Sequence, residues 1–291
     1  MVSQALRRSI YLTAAGFTTV PAIYLTRRDT WNSKSRRQNQ KMLPSYEATF
    51  SVPITCESCT SDISNALSKL PGIHKISYSI PSKLVSTQGT EPPSRIISAI
   101  QATGRAAVLR GSGNPNSAAV CILETPPSAT PSTSPLSSPV RGLARLIELG
   151  DKITLLDLSL SGMQEGQYRA SIRASGDISA GQKSLGAPFL GLEGNKNGEL
   201  GEFVVDANGR GSLIGELDWR VWEMVGRGVL VENVDQTKQE TPARETQQSD
   251  SLVLGVIARS AGTWENDKSV CSCTGKTVWE EREEMVRRGM L

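Results

Sequence analysis

A run rich in proline, serine and threonine divides this chain into two parts that must fold separately. Residues 126–139, PPSATPSTSPLSSP, contain almost no side chain large and apolar enough to pack. Such a segment cannot join a hydrophobic core, so it is predicted to be an extended linker. A chain of 291 residues is long enough for two cores. We therefore expect one domain over residues 42–125 and another over residues 140–262.

The first domain has the pattern of a ferredoxin-like βαββαβ fold. The stretch YEATFSVPI, which begins at Tyr46, alternates like a strand. After it, TSDISNALSKL carries Ile63, Leu67 and Leu70 at helical spacing, and a Pro-Gly pair ends this helix. Two strands, a second helix and a closing strand follow, which completes the βαββαβ order.

The second domain is predicted to be an antiparallel β-sandwich or barrel. Between Gly142 and Gly262, strand-like runs are separated by Gly, Asn and Asp turns, and helical periodicity of any length is absent. The polar segment from Asp235 to Ser249 is expected to form a long exposed loop. Residues 263–291 are a tail without a core of its own, and TVWEEREEMVRRGML within it predicts a short amphipathic helix.

The first 41 residues are set apart by their charge, because they carry eight Lys or Arg residues against one acid, Asp29. Two interpretations stay open. The segment is either a mitochondrial presequence or upstream sequence that is absent from a working protein starting at Met42. Its apolar run is too short and too broken by a proline to span a membrane comfortably, so no stable membrane insertion is expected. The remaining chain is mildly acidic and has no basic stripe, which argues against nucleic acid as a partner.

The five cysteines fall into two close pairs and one isolated residue. Cys56 and Cys59 form a CxxC motif, Cys271 and Cys273 form a CxC motif near the end of the chain, and Cys121 lies alone in an apolar strand. Secreted disulfide frameworks use many cysteines in small domains, so this grouping favours metal or redox chemistry in a reducing compartment. Cys121 is expected to be a buried small hydrophobic residue.

The CxxC pair is best suited to monovalent copper. A closed structural zinc site needs four ligands, and this domain offers too few of them. Cu(I) prefers soft thiolates, and two sulfurs on a loop before a helix N-terminus are chemically adequate because the helix dipole favours thiolates. A thiol redox motif and two unconnected surface cysteines are the alternatives, and the βαββαβ order favours metal over both.

The CxC pair is better suited to disulfide exchange. Side chains at i and i+2 of an extended segment share a face, and a disulfide between Cys271 and Cys273 would close a very small ring. Such a bond is strained and is therefore passed on easily. A chance pair of cysteines is the alternative interpretation.

The chain resembles the fungal copper chaperones for superoxide dismutase from YEATFSVPITCESC through VRGLARLIELG to GVIARSAGTWENDKSVCSCTGKTVWEER. A metallochaperone domain, a superoxide-dismutase-like Greek-key β-barrel and a CxC tail occur in that order. The resemblance implies that Cys56 and Cys59 hold Cu(I), and that Cys271 and Cys273 deliver it and form the disulfide of the target. Such a protein is a metallochaperone and not an enzyme, apart from a sulfhydryl-oxidase-like action on its target. A general Cu(I) metallochaperone or a thiol–disulfide oxidoreductase is the alternative.

The copper-binding loop departs from the family pattern at one position. Ile54 stands where the family usually has methionine. Because that methionine is generally a packing residue, we expect the change to affect loop rigidity more than copper affinity.

The second domain lacks the ligands for dismutase chemistry. A copper–zinc superoxide dismutase needs about six histidines for its two metals, and the segment from Gly142 to Gly262 has none. Ser171, Ile172 and Arg173 stand in place of the enzyme's His-x-His strand, and Glu232 replaces a later copper ligand. The segment also contains no cysteine, so the enzyme's domain disulfide is not expected.

By resemblance, the barrel keeps the dimer face of the enzyme for docking one target subunit. The predicted face consists of a loop, a turn and a strand, represented by Gly176, Asp177, Val225, Gly226, Arg227, Val256, Ala258 and Arg259. This predicts a heterodimer with Cu/Zn superoxide dismutase, and the same face would allow a homodimer. The alternative is that the glycines only serve turns and the strand only fills the barrel. The expected location is the cytoplasm, with the mitochondrial intermembrane space as the alternative.

Overall fold

A computed structural model describes residues 43–126, 140–234, 252–266 and 275–287 of the chain. The first domain is a four-stranded antiparallel sheet with strand order β2-β3-β1-β4 and two helices. Its elements are β1 (Tyr46–Ser51), α1 (Glu57–Leu67), β2 (Ile73–Ser79), β3 (Leu84–Gly89), α2 (Pro93–Gln101) and β4 (Val108–Ser112). The predicted βαββαβ order is confirmed.

Alternation and helical spacing place the apolar side chains of this domain in one core. Phe50 of β1 is fully buried, and it shares this core with Ile63 and Leu67 of α1 and with Ile96 and Ile100 of α2. Helix α1 starts at Glu57, earlier than the predicted helix. Its first turn therefore includes part of the CxxC motif.

The second domain is a closed eight-stranded barrel with order β10-β7-β6-β5-β12-β11-β8-β9. All neighbouring strands are antiparallel. The strands are β5 (Ala118–Glu124), β6 (Val140–Gly150), β7 (Ile153–Leu160), β8 (Gly166–Arg173), β9 (Glu199–Val205), β10 (Gly211–Leu217), β11 (Gly228–Asn233) and β12 (Leu252–Arg259). A four-residue helix, α3 (Val221–Met224), precedes β11. The predicted antiparallel barrel is confirmed.

The first barrel strand, β5, precedes the linker instead of following it. Cys121 of β5 pairs with Ala144 of β6 and with Ile257 of β12. The expected domain boundary at residue 125 therefore falls after the first barrel strand, and residues 118–124 belong to the barrel. The boundary was placed wrongly because the local sequence of a strand does not reveal that its pairing partners lie on the other side of the linker.

The position of Cys121 follows from this arrangement. The barrel wall contains one cysteine, which corrects the expectation of none. Cys121 is fully buried, as expected for a small hydrophobic residue, and burial raises the pKa of its thiol to about 12. It is therefore a neutral packing residue.

A buried polar junction joins the barrel to the first domain. The carboxylate of Asp157, on β7, is fully buried and accepts a 2.8 Å hydrogen bond from the backbone N–H of Ser94 in the first turn of α2. Arg145 of β6 lies 3.5 Å from the same carboxylate oxygen. Ile147 and Leu155 of the barrel also join the hydrophobic core of the first domain. A barrel side chain thus caps a helix of the neighbouring domain.

The end of the tail forms the predicted helix, α4 (Val278–Arg287). The side chains of Thr277 and Glu280 form a reciprocal capping box at its start. Among the helices of the described residues, none is long and apolar enough to cross a membrane. The N-terminal segment, most of the linker, the loop at 235–249 and both Cys271 and Cys273 lie outside the described residues.

Candidate metal site and docking face

Cys56 and Cys59 meet at the N-terminus of α1. Cys56 is the N-cap residue in an extended conformation, and Cys59 lies in the first turn, where its backbone N–H donates to the carbonyl of Cys56 at 3.1 Å. The two sulfur atoms are 3.5 Å apart. Cys56 is exposed and Cys59 is half-buried. The predicted pair is thus brought together at the surface, and one soft cation could contact both sulfurs.

The surroundings of Cys59 favour its thiolate. The pKa of this thiol is lowered to about 6, mainly by a hydrogen bond from the backbone of Thr55 and then by hydrogen bonds from the side chains of Arg105, Cys56 and Thr55. Slight burial opposes this shift. Cys59 is therefore mostly ionised at neutral pH, as a metal ligand or nucleophile requires.

Arg105 is a site residue that the sequence analysis missed. Its guanidinium donates to Asp62 of α1 at 2.9 Å and to the carbonyl of Thr103 at 3.2 Å, and its positive charge near Cys59 helps to lower the pKa of that thiol. Its position near the CxxC motif could have been inferred from the predicted βαββαβ topology. The end of β1 and the start of β4 lie side by side, with Ser51 paired to Val108, so residues just before β4 come close to the loop after β1.

Ile54 is the buried anchor of this loop. Only 1% of it is exposed, and it packs in the core of the first domain. This supports the expectation that the residue at this position acts through packing.

The described residues contain no cluster of three or more His, Cys, Asp or Glu side chains arranged to hold a metal ion. Within that part of the chain, the CxxC pair therefore stands as a site with two protein ligands. Two ligands leave a bound ion open to a further thiolate from another molecule.

In the barrel, the residues that were predicted to stand in place of the enzyme's metal ligands make structural contacts. The guanidinium of Arg173 donates to the carbonyl of Gly186 at 3.0 and 2.6 Å, which fixes the loop after β8. Ser171 and Ile172 are buried. Glu232 accepts a 3.3 Å hydrogen bond from the amide of Gln182 in the same loop.

The three segments of the predicted docking face come together on one side of the barrel. A Cβ atom on Gly176 would lie 2.2 Å from the carbonyl oxygen of Gly226 and 3.2 Å from a methyl group of Val256. Glycine is thus required at position 176 by close approach. Asp177, Ala258 and Arg259 are exposed.

Val225 and Arg227 contribute to this face differently. Val225 is half-buried and packs partly against the barrel core. The guanidinium of Arg227 lies over the ring of Phe189 at 3.3 Å and donates to the carbonyl of Ala174 at 3.0 Å. Arg227 therefore holds two barrel loops together as well as bordering the face.

Two apolar side chains near this face were missed. Ile122 of β5 is 52% exposed, and its carbonyl lies so close to Gly255 of β12 that a Cβ there would be 1.9 Å away. Ile178, directly after Asp177, is 37% exposed. Ile122 was missed because β5 had been assigned to the first domain, although an exposed isoleucine beside buried Cys121 follows from strand alternation.

Comparison with known proteins places both domains in context. Residues 49–106 match the heavy-metal-associated domain. The superoxide dismutase 1 copper chaperone of Debaryomyces hansenii is 41% identical, with 86% of this chain and 99% of that protein covered. The protein of the same name from Saccharomyces cerevisiae is 38% identical, with coverage of 82% and 95%. The copper chaperone for superoxide dismutase of Sus scrofa is 30% identical, with coverage of 80% and 88%.

Proposed function

Because the chain belongs to the family of copper chaperones for superoxide dismutase, we propose that it delivers Cu(I) to a Cu/Zn superoxide dismutase and promotes formation of that enzyme's disulfide. The observation that carries this proposal is the CxxC pair at the surface. Its two sulfurs lie 3.5 Å apart, and the surroundings of Cys59 stabilise the thiolate form of that residue. Copper is the cargo of this protein, and the target enzyme is its recipient.

Copper is held by Cys56 and Cys59. Two thiolates and one Cu(I) ion carry a net charge of −1, and the guanidinium of Arg105 next to Cys59 offsets it. Since only two protein sulfurs bind the ion and one of them is exposed, an incoming thiolate can join before a ligand leaves. The site is therefore suited to transfer and not to permanent storage.

The barrel docks one subunit of the target through the face around Gly176, Gly226 and Val256. Ile122 and Ile178 give this face apolar side chains that burial against a partner would stabilise. The result is a heterodimer that replaces the homodimer of the enzyme. The barrel itself is a docking unit without dismutase activity.

The tail performs the final step through Cys271 and Cys273. When these two are joined as a disulfide, a target thiolate attacks one sulfur and forms a mixed disulfide. The second target thiol then displaces the tail. The target loses two electrons and gains its disulfide, while the tail leaves as two thiols. The tail acts at high effective concentration because docking tethers it to the target.

A reducing compartment suits this chemistry, since CxxC must be a dithiol to bind copper. The cytoplasm is the proposed location. The intermembrane space of mitochondria is the alternative if the first 41 residues act as a presequence.

The decisive experiment combines docking and activation in one purified system. Copper-loaded chaperone is mixed with reduced, copper-free enzyme, and complex formation by size-exclusion chromatography is measured together with superoxide removal. The Cys271→Ser/Cys273→Ser variant should form the complex and bind copper at CxxC but fail to activate the enzyme. Cys121→Ala serves as a matched control and should activate it. Full activation by the double variant would contradict the role of the tail, and absence of a complex with wild type would contradict the whole proposal.

A further inference from the structure

The chain that leaves the barrel after β12 docks on the first domain before it reaches the CxC motif. We define residues 261–266 as the tail root. The backbone N–H of Ser112 donates to Ala261 at 3.3 Å, and that of Thr263 donates to Gly113 at 2.9 Å. Gly111 of β4 approaches the root so closely that a Cβ atom would lie 2.0 Å from the carbonyl oxygen of Gly262. The root thus lies along β4, an edge strand of the first domain.

Two residues of the first domain, Glu47 and Arg110, hold this root. The backbone carbonyl of Glu47 accepts from the hydroxyl of Thr263 at 2.7 Å, and its carboxylate accepts from the indole N–H of Trp264 at 3.2 Å. Arg110 is 7% exposed and donates through Nε and Nη2 to the carbonyl of Asn266 at 3.2 and 2.9 Å. A buried guanidinium with two hydrogen bonds to one carbonyl is a specific backbone contact.

The backbone of Trp264 has a conformation that its residue type disfavours, so other contacts must hold the root in place. Its φ is +68°, a conformation that a bulky residue rarely adopts, and its side chain remains 57% exposed. Burial of the ring does not explain this turn. The contacts to Glu47, Gly113 and Arg110 are what hold the chain there.

We propose that Glu47 and Arg110 are positioning residues for the CxC tail. Glu47 lies on β1, the strand that leads into the CxxC motif, and Arg110 lies on β4, the strand that follows Arg105. The tail therefore starts from the strands that flank the copper loop and not from the end of the barrel. This inference rests on the proposed function, because it assigns the root a role in copper delivery and disulfide formation.

The expected size of the effect follows from tether length. Cys271 lies five positions after Asn266, whereas it lies twelve positions after the end of the barrel at Arg259. The effective concentration of a tethered group falls with about the 3/2 power of the tether length. Complete release of the root should therefore lower the local concentration of the tail thiols by about four-fold, and partial release by about two-fold.

The test uses the full chain and a release variant, Arg110→Met/Thr263→Ala. Its rate constant for activation at saturating copper-free enzyme should fall by about two- to four-fold, while the half-saturating concentration stays unchanged because docking is intact. Arg95→Met is the matched control, since Arg95 lies on α2 of the same domain with an exposed side chain. Amide hydrogen exchange at Thr263 should accelerate in the release variant and not in the control.

A second variant separates tether length from a general structural effect. Inserting seven Gly and Ser residues after Asn266 in the wild-type background should slow activation by about four-fold, but by only about two-fold in the release variant. Equal losses in both backgrounds, an unchanged rate or a faster rate in the release variant would overturn the proposal. If the release variant does not fold, Trp264→Phe provides the test: it removes the indole N–H and part of a mostly exposed ring, and it should slow activation by up to about two-fold, whereas an unchanged rate would count against the proposal. Failure of wild type to activate would instead count against the proposed function itself.

Discussion

The CxxC motif and the barrel residues predicted to stand in place of the enzyme's metal ligands have opposite surroundings. Cys56 and Cys59 are accessible, and hydrogen bonds from Thr55 and Arg105 stabilise a charged sulfur. Ser171 and Ile172 are buried, and Arg173 uses its guanidinium to fix a loop. The comparison shows how one chain can separate its tasks. The CxxC pair is left open to an incoming ligand, whereas the side chains at 171–173 serve the packing and the loop structure of the barrel.

The largest effect is expected at the copper site. Cys59→Ser removes the thiolate with the lowered pKa and leaves one sulfur, so Cu(I) affinity should fall by more than about 100-fold. Competition with a chromogenic Cu(I) chelator measures this loss. Complex formation with the target should persist, and retention of tight Cu(I) binding would show that other ligands hold the metal.

The reciprocal change on the barrel should weaken docking and leave copper binding intact. Ile122→Asp places a charge at an exposed apolar position beside the proposed face, which should weaken the heterodimer by at least about ten-fold. Val204→Asp is the matched control, since Val204 is 69% exposed on β9. Isothermal calorimetry or size-exclusion chromatography gives the affinities. Equal weakening by both variants would mean that the docking face lies elsewhere.

Arg173 tests how much the hydrogen bonds that fix the loop after β8 contribute to the stability of the barrel. Arg173→Met removes both bonds to the carbonyl of Gly186 and should lower the free energy of unfolding by about 1–2 kcal/mol. Chemical denaturation provides the value, and Cu(I) affinity should not change. A variant as stable as wild type would show that the loop is held by other contacts.

Arg105 tests how the surroundings of Cys59 set the pH at which its thiolate forms. The pKa of Cys59 is lowered from 9.0 to about 6, so the stability gained from its thiolate is complete above pH 9, declines as the pH falls from 9 to 6, and is absent below 6. Arg105→Met removes one of the hydrogen bonds to the sulfur and should move the midpoint of thiolate formation upward by up to about one pH unit. Ultraviolet absorbance or the rate of alkylation against pH reports this midpoint. An unchanged midpoint would assign the shift to Thr55 and Cys56 alone.

Ile54 should give the smallest effect. Ile54→Met restores the usual family residue and conserves side-chain volume, so the unfolding free energy should change by less than about 1.5 kcal/mol. Cu(I) affinity should stay within about three-fold of wild type, because this side chain is buried and not a ligand. A larger change in affinity than in stability would make the loop residue part of the metal site.

Local patterns were enough to predict much of this molecule. The alternation after Tyr46 and the spacing of Ile63, Leu67 and Leu70 placed the strand and helix that flank the CxxC motif. The thiols themselves stand out because cysteine pairs are close in sequence. Elements made from short stretches, and sites made from adjacent residues, are visible without tertiary information.

What remained hidden depends on contacts between distant parts of the chain. Assigning β5 to the barrel requires its pairing with β6 across the linker and with β12, more than a hundred residues away. Arg105 approaches Cys59 only because β4 pairs with β1. Asp157 can be recognised as a cap only when α2 of the other domain lies against it.

The Asp157 junction has a consequence for how the protein unfolds. Because a barrel carboxylate caps α2, and because Ile147 and Leu155 complete the other domain's core, neither half can melt without exposing part of its neighbour. Heating should therefore give one cooperative calorimetric transition, in which the first domain and the barrel unfold at the same temperature.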